Sequence, residues 1–435
     1  MYPTPTLWFE IGATALMGVV LLWAKTEYAL FLYAFALGFP EFAYAAGATI
    51  NIRVDDVLLV LFLGRTILWT PAPPSRGQRN IFIWQGFFLA ACIVSIVVEL
   101  AQGTPPAAYE TAKMAGCAAI FLVLPRLMQS QRRLRFFLAG LMCGGIALAI
   151  QVRLHLSDPS SNHVENFQEL KSAATFSTWN PNTIGQAAVL LVFAAGLGGI
   201  IFSKSLVNRI LWPCLTLGFA LMPVMLFVRG TSISIAAGFT LFLCLGRRWK
   251  WLLLFVVACL AAILYVHSLD HPLVTDATSV DLTTGEGLSH RFDRWDMAFR
   301  AIRKDPFTGQ GFGQELAYLT LIGSEGRAHD AYLTVWVELG LGGVLLFLTA
   351  IFQFFHAGSS LYRDPRFPLQ GALILALIFT LSLDSFGLPT LYWEKLPTIA
   401  LSLAVAVVGI CERNASENSV KEVRTLAYEP FAQHS

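Results

Sequence analysis

The sequence predicts an all-α fold: a polytopic membrane bundle of about 12 or 13 transmembrane helices, with one large segment on its outer face. Three observations predict it. Hydrophobic residues make up 56% of the 435 positions and charged residues only 13%, whereas soluble domains carry roughly 25% charge. Mean hydropathy is +0.61. Apolar runs close to 20 residues long, the length that crosses hydrocarbon, recur along the whole chain.

The candidate spans are 8–24, 28–44, 54–70, 81–98, 108–127, 136–154, 184–202, 210–228, 232–246, 251–266, 333–356, 368–386 and 396–411. The first two are short enough to lie in the interface. Basic residues orient the set. Lys25, Arg76, Arg79, Arg132, Arg133, Arg135, Lys204, Arg209, Arg247, Arg248, Lys250, Arg363 and Arg366 all fall in short connections on one side, which is therefore cytoplasmic. The expected organisation is 1–266 as N-terminal helices, 267–332 as a large external loop, 333–411 as C-terminal helices, and 412–435 as a polar, disordered cytoplasmic tail.

The external loop has internal structure. Residues 268–288 read as coil. Leu288 to Ile302 then place Phe292, Trp295, Met297, Ala298, Phe299 and Ile302 near helical spacing, which predicts an amphipathic helix lying over the bundle. Pro306 ends it, and Gly309-Gln310-Gly311-Phe312-Gly313 predicts a tight, flexible turn. Composition also excludes several functions. Net charge is only +2, with no basic, aromatic-interleaved patch for nucleic acid. The seven cysteines lie in or at the end of apolar runs without a CxxC pair, so neither a disulfide nor a metal framework is expected. No His pair has zinc-site spacing, and no metal or other cofactor is expected. The N-terminus lacks a basic region before its first apolar run, so no cleavable signal peptide is expected.

Candidate site residues cluster on the external side. His329 stands between Arg327 and Asp330 where a span begins, and an ionisable group at a membrane edge asks for a functional reason. Its imidazole suits proton transfer near neutral pH, and Asp330 would orient the ring. Arg229 opens a span on the face where arginine is disfavoured, beside Gly230. Arg291 and Arg294, three apart on the external helix, can present guanidinium forks to a diphosphate. Asp293, Asp296 and Asp305 offer these arginines simple ion pairs instead. Asn180-Pro181-Asn182 precedes another span and reads as a helix cap. Asp384, near the outer end of the penultimate span, needs a partner if buried.

Taken in order, these motifs resemble the O-antigen ligase and O-antigen polymerase superfamily. Asn180-Pro181-Asn182 is similar to its NPN segment, and Arg229-Gly230 to its arginine–glycine at a periplasmic helix start. Arg291 to Trp295 with Pro306 to Gly313 is similar to its R…W…P…G.G.G run. His329 to Leu333 with Glu338 to Gly343 is similar to its HNxxL…E.G..G run, except that Asp330 stands where the family usually has asparagine. The resemblance covers roughly 175–345. It implies a C-type glycosyltransferase-like fold in a bacterial inner membrane, with the active site on the periplasmic side. It also implies metal-independent, inverting transfer of a glycan from undecaprenyl diphosphate to an acceptor hydroxyl. His329 would be the base, Arg229, Arg291, Arg294 and Arg327 the diphosphate ligands, and Asp330, Asn180 and Asn182 supporting residues. The acceptor would be lipid A–core for a ligase, or a second undecaprenyl-linked glycan for an O-antigen or exopolysaccharide polymerase. A protein O-oligosaccharyltransferase fits less well, since no extended soluble domain follows the last span. A transporter or flippase would place charges at mid-bilayer, often on broken helices, whereas here they gather at the external boundary.

Overall fold

The structure, a computed structural model, describes residues 16–20, 22–38, 43–45, 51–67, 73–104, 107–156, 181–202, 205–226, 228–268, 289–323, 326–386 and 391–432. It is an all-α bundle with one small exception, a two-stranded antiparallel pairing of β1 (Ala43–Ala45) with β2 (Asn51–Arg53). The helices are α1 (Thr26–Ala36), α2 (Val54–Ile67), α3 (Arg76–Ala101), α4 (Ala108–Leu127), α5 (Gln131–Leu156), α6 (Pro181–Phe202), α7 (Leu206–Met225), α8 (Arg229–Leu245) and α9 (Trp249–Ser268). They continue with α10 (Ser289–Lys304), α11 (Glu315–Leu321), α12 (Ala331–Arg363), α13 (Pro368–Asp384) and α14 (Lys395–Ala432).

Among the described residues, six helices are both long and apolar enough to cross a membrane: α3, α5, α6, α7, α12 and α14. The shorter α8 and α13 are also apolar. The chain is therefore a multi-pass membrane protein, with fewer helices meeting both criteria than the 12 or 13 expected. The apolar run at 28–44 yields only the 11-residue α1, and α4 carries Glu110, Lys113 and Arg126 within its 20 residues. Much of the first expected span, at 8–24, lies outside the described residues.

Helix α14 is the axis of the bundle. Its most apolar window is 89% buried inside the protein, against 17% for α3 and 22% for α7, which leave most of their surface outward. The principal packings pair α6 with α7, α1 with α5, α12 with α13 and α3, α8 with α13, and α14 with α4.

The two ends of the bundle are distinct. At the end holding the basic connections, Gly77 N–H donates to both Glu412 oxygens (3.2 and 3.0 Å), so a carboxylate meets the positive N-terminus of α3. Arg413 donates to Gln129 O (2.9 Å), and Tyr362 OH to Leu245 O (3.1 Å). The disordered tail expected after residue 411 is corrected here: α14 continues through it to Ala432.

Candidate functional site

At the opposite end the chain turns sharply between Gly326 and Ala331. Asp330 caps α12: its Oδ1 accepts the backbone N–H groups of Tyr332 (2.8 Å) and Leu333 (2.9 Å). His329, just before the cap, takes a left-handed backbone with φ 54°. Histidine tolerates this region better than most residues, but it remains uncommon and recurs at functional sites. Oδ1 of Asp330 is thus committed to two amides of the helix start. The departure from the family's asparagine is then conservative, because Asp and Asn cap helices about equally well.

Three helix ends converge beside this turn. Ala331 N–H donates to Ser385 O (2.9 Å), and Tyr332 OH to Ser382 O (3.0 Å), which fixes the start of α12 against the end of α13. The neighbouring Asp384 accepts from Thr231 Oγ1 (2.9 Å), which fixes the end of α13 against the start of α8. Buried Asp384 thus has the partner it requires. Arg229 is the exposed first residue of α8, so His329 and Arg229 reach the same end of the bundle through this linkage. Pro181 begins α6, with Asn182 half-buried in its first turn. Asn180 lies outside the described residues.

Helix α10 covers this end, as the apolar spacing predicts. Ala298, Ala301 and Ile302 are buried with Leu319, Ala328, Leu333 and Val337, and Trp295 packs against them. Phe292 and Phe299, expected on the same apolar face, are exposed instead. They lie seven residues apart, and the helix turns that stripe away from the bundle. Arg291 is exposed and Arg294 half-buried. A methyl group placed on Gly326 would meet the Arg294 guanidinium carbon at 3.5 Å, so Arg294 lies against the turn that carries His329. Arg300 pairs with Asp296 (2.7 Å) in solvent, as expected of such a pair. Arg327 Nη2 is bound to Glu110 of α4.

The sequence reading missed a set of buried carboxylates behind the turn. Glu315 and Glu338 are 1% and 2% exposed. Glu338 accepts from Tyr392 OH and from Glu315 N–H (3.4 Å). Glu99 accepts from Gln314 Nε2 (3.2 Å) and Ser95 Oγ (3.2 Å), and Glu394 from Lys113 Nζ (2.7 Å). Burial raises the carboxyl of Glu394 above its ordinary range against the pull of Lys113. It raises Asp330 in the same way, against its two amide donors. The available signal was a carboxylate within or beside an apolar run, as at Glu99 and Glu338.

The glycine-rich turn joins these parts. Helix α12 breaks at Gly340, where φ is 65° and ψ −168°. The turn 309–313 bonds into that break: Gln310 N–H donates to Val337 O (2.7 Å), Gly311 N–H to Glu338 O (3.0 Å), and Leu341 N–H to Pro306 O (2.9 Å). A β-carbon on Gly340 would sit 2.2 Å from Phe307 O, and one on Gly309 would sit 2.5 Å from Glu338 O. The turn predicted as flexible is instead clamped, and its glycines are there because two backbones touch.

The arrangement offers a candidate base on a fixed turn, two arginines at the same bundle end, and helix N-termini whose amides favour anions. Among the described residues no group of His, Cys, Asp or Glu has the geometry to hold a metal ion. No curated protein matches the chain. Residues 214–348 match a family model described as O-antigen ligase, an interval that includes Arg229, the arginines of α10, Glu315, His329 and Glu338. Over this segment, about a third of the chain, the protein is similar to the O-antigen ligase family.

Proposed function

We propose that the protein transfers a glycan from undecaprenyl diphosphate to an acceptor hydroxyl on the periplasmic side of a bacterial inner membrane. A ligase acting on lipid A–core is the leading reading, and a polymerase extending a second lipid-linked glycan is the alternative. One observation carries the proposal. The left-handed turn bearing His329 sits where the starts of α8 and α12 meet the end of α13, with Arg229 and Arg294 at the same end.

In this reading His329 takes the acceptor's hydroxyl proton as the oxygen attacks the anomeric carbon. The bond from that carbon to the diphosphate oxygen breaks, undecaprenyl diphosphate leaves with the electron pair, and the sugar centre inverts. Arg229, Arg291 and Arg294 stabilise the departing charge, work that preorganised donors do well in a dry site. Arg327 is left out of the diphosphate set because Glu110 holds it. General-base catalysis of this kind contributes ~10²–10⁴-fold.

The decisive experiment supplies purified protein with an undecaprenyl-linked donor and both acceptors, lipid A–core and a second lipid-linked glycan. Product identity separates ligase from polymerase. His329→Ala is expected to abolish transfer while the protein stays folded, and Arg229→Ala to weaken donor binding and transfer. Full transfer by His329→Ala would remove the histidine from catalysis.

A further inference from the structure

Resting on the reading of His329 as the base, we propose that Glu315 is the residue that positions it, gripping the peptide in front of the histidine together with Trp295. The turn before α12 is short, and its Ala328 unit is held at both polar ends. Ala328 N–H donates to Glu315 Oε1 (2.9 Å), and Ala328 O accepts from Trp295 Nε1 (3.1 Å). The first grip comes from α11 and the second from α10. Ala331 N–H, on the other side of His329, is tied to Ser385 O (2.9 Å). A residue with φ 54° persists only where its surroundings over-determine it, and these three bonds supply that constraint.

Glu315 is unusual among these partners. It is 1% exposed, and its own N–H is tied to Glu338 Oε1 (3.4 Å). Its second oxygen, Oε2, is buried and accepts no hydrogen bond. Thr334 adjoins the carboxyl, and its hydroxyl donates to Asp330 O (2.8 Å). Burial, the largest influence, raises this carboxyl above its ordinary range, while the Ala328 N–H, Arg327 and Thr334 pull the other way. The amide oxygen of glutamine can accept from Ala328 in the same place, whereas alanine leaves a buried N–H without its partner.

The test compares Glu315→Ala, Glu315→Gln, Trp295→Phe and His329→Ala in the full-length protein, by transfer kinetics and by amide exchange of the peptide covering 327–333. Glu315→Ala is expected to lower kcat about 100-fold with donor KM unchanged, and to speed exchange in that peptide. Glu315→Gln is expected to stay within about threefold of wild type in both. Trp295→Phe, which keeps the ring and loses the donor, is expected to show a smaller loss of the same kind. Wild-type kcat and exchange in Glu315→Ala, beside an inactive His329→Ala, would overturn the positioning role and leave the base intact. An active His329→Ala would overturn the underlying reading, while faster exchange in Glu315→Ala would still show the grip. If Glu315→Ala does not fold, Glu315→Gln and Trp295→Phe decide: a Gln variant as impaired as His329→Ala, or a Phe variant with unchanged exchange and kcat, overturns the proposal.

Discussion

The two ends of the bundle handle charge in opposite ways. At the end with the basic connections, charges meet in or near water: Asp364 accepts from Arg366 through both carboxylate oxygens (3.0 and 2.8 Å), with the arginine side chain 47% exposed. At the other end Glu99, Glu315, Asp330, Glu338 and Asp384 are each 5% exposed or less. Exposed pairs contribute little and are easily replaced, whereas a buried carboxyl is costly unless it is bonded or neutral. The costly end coincides with the left-handed histidine, the broken α12 and the clamped glycine turn. On the proposed reading, this end must hold a base and its neighbours in one geometry, which such a concentration would serve.

That contrast can be broken from either side. The largest effect is expected from Gly340→Ala. Its β-carbon would enter Phe307 O, and a non-glycine residue at φ 65° is strained. Backbone strain and overpacking each cost about 1–3 kcal/mol, so a severe loss of folded protein is expected in detergent thermal unfolding. Gly342, two residues further along, has open space around a β-carbon, and Gly342→Ala is the matched control.

Next is the cap. Asp330→Ala should cost about 1 kcal/mol through loss of the two amide bonds, while Asp330→Asn should be close to neutral. Equal losses in both would show that the negative charge matters beyond the cap.

The ends should also respond to pH with opposite sign. Glu315, Asp330 and Glu394 have folded carboxyls raised by burial. The folded state therefore holds more protons than the unfolded chain. Their contribution is fully present below the ordinary carboxylate range and is lost as pH rises through the raised folded values. Asp364 is lowered by its hydrogen bonds from Arg366, so its contribution is present above that range and lost as pH falls. Unfolding midpoints recorded against pH should fall less steeply toward neutral pH in Glu315→Gln. The smallest effect belongs to Arg366→Ala, less than about 1 kcal/mol at neutral pH, confined to weakening the acid-side response. A steep acid loss that survives this substitution would move the response elsewhere.

Much of the candidate site was legible as sequence because its residues announce themselves by cost. A histidine at a membrane edge and an arginine on the disfavoured face are both anomalous against their surroundings. Apolar spacing revealed α10, and Asp384 was read as needing a partner. Glu315 was not legible. It sits in a short polar stretch where a glutamate is unremarkable, and only folding brings it beneath Ala328. The pairing of Arg327 with Glu110 is equally invisible, since 217 positions separate them.

Composition and period by themselves determined the membrane bundle, the basic end and the order of the motifs, because hydrophobic length and charge are properties of each segment alone. Tertiary structure decided which partners the charged groups meet. It committed Asp330 to a helix cap, Arg327 to an ion pair and the glycine turn to a backbone clamp, and it continued the C-terminal tail as helix. The physical reason is that a side chain's role depends on the partner that reaches it. In a bundle those partners come from distant segments whose approach no local pattern encodes.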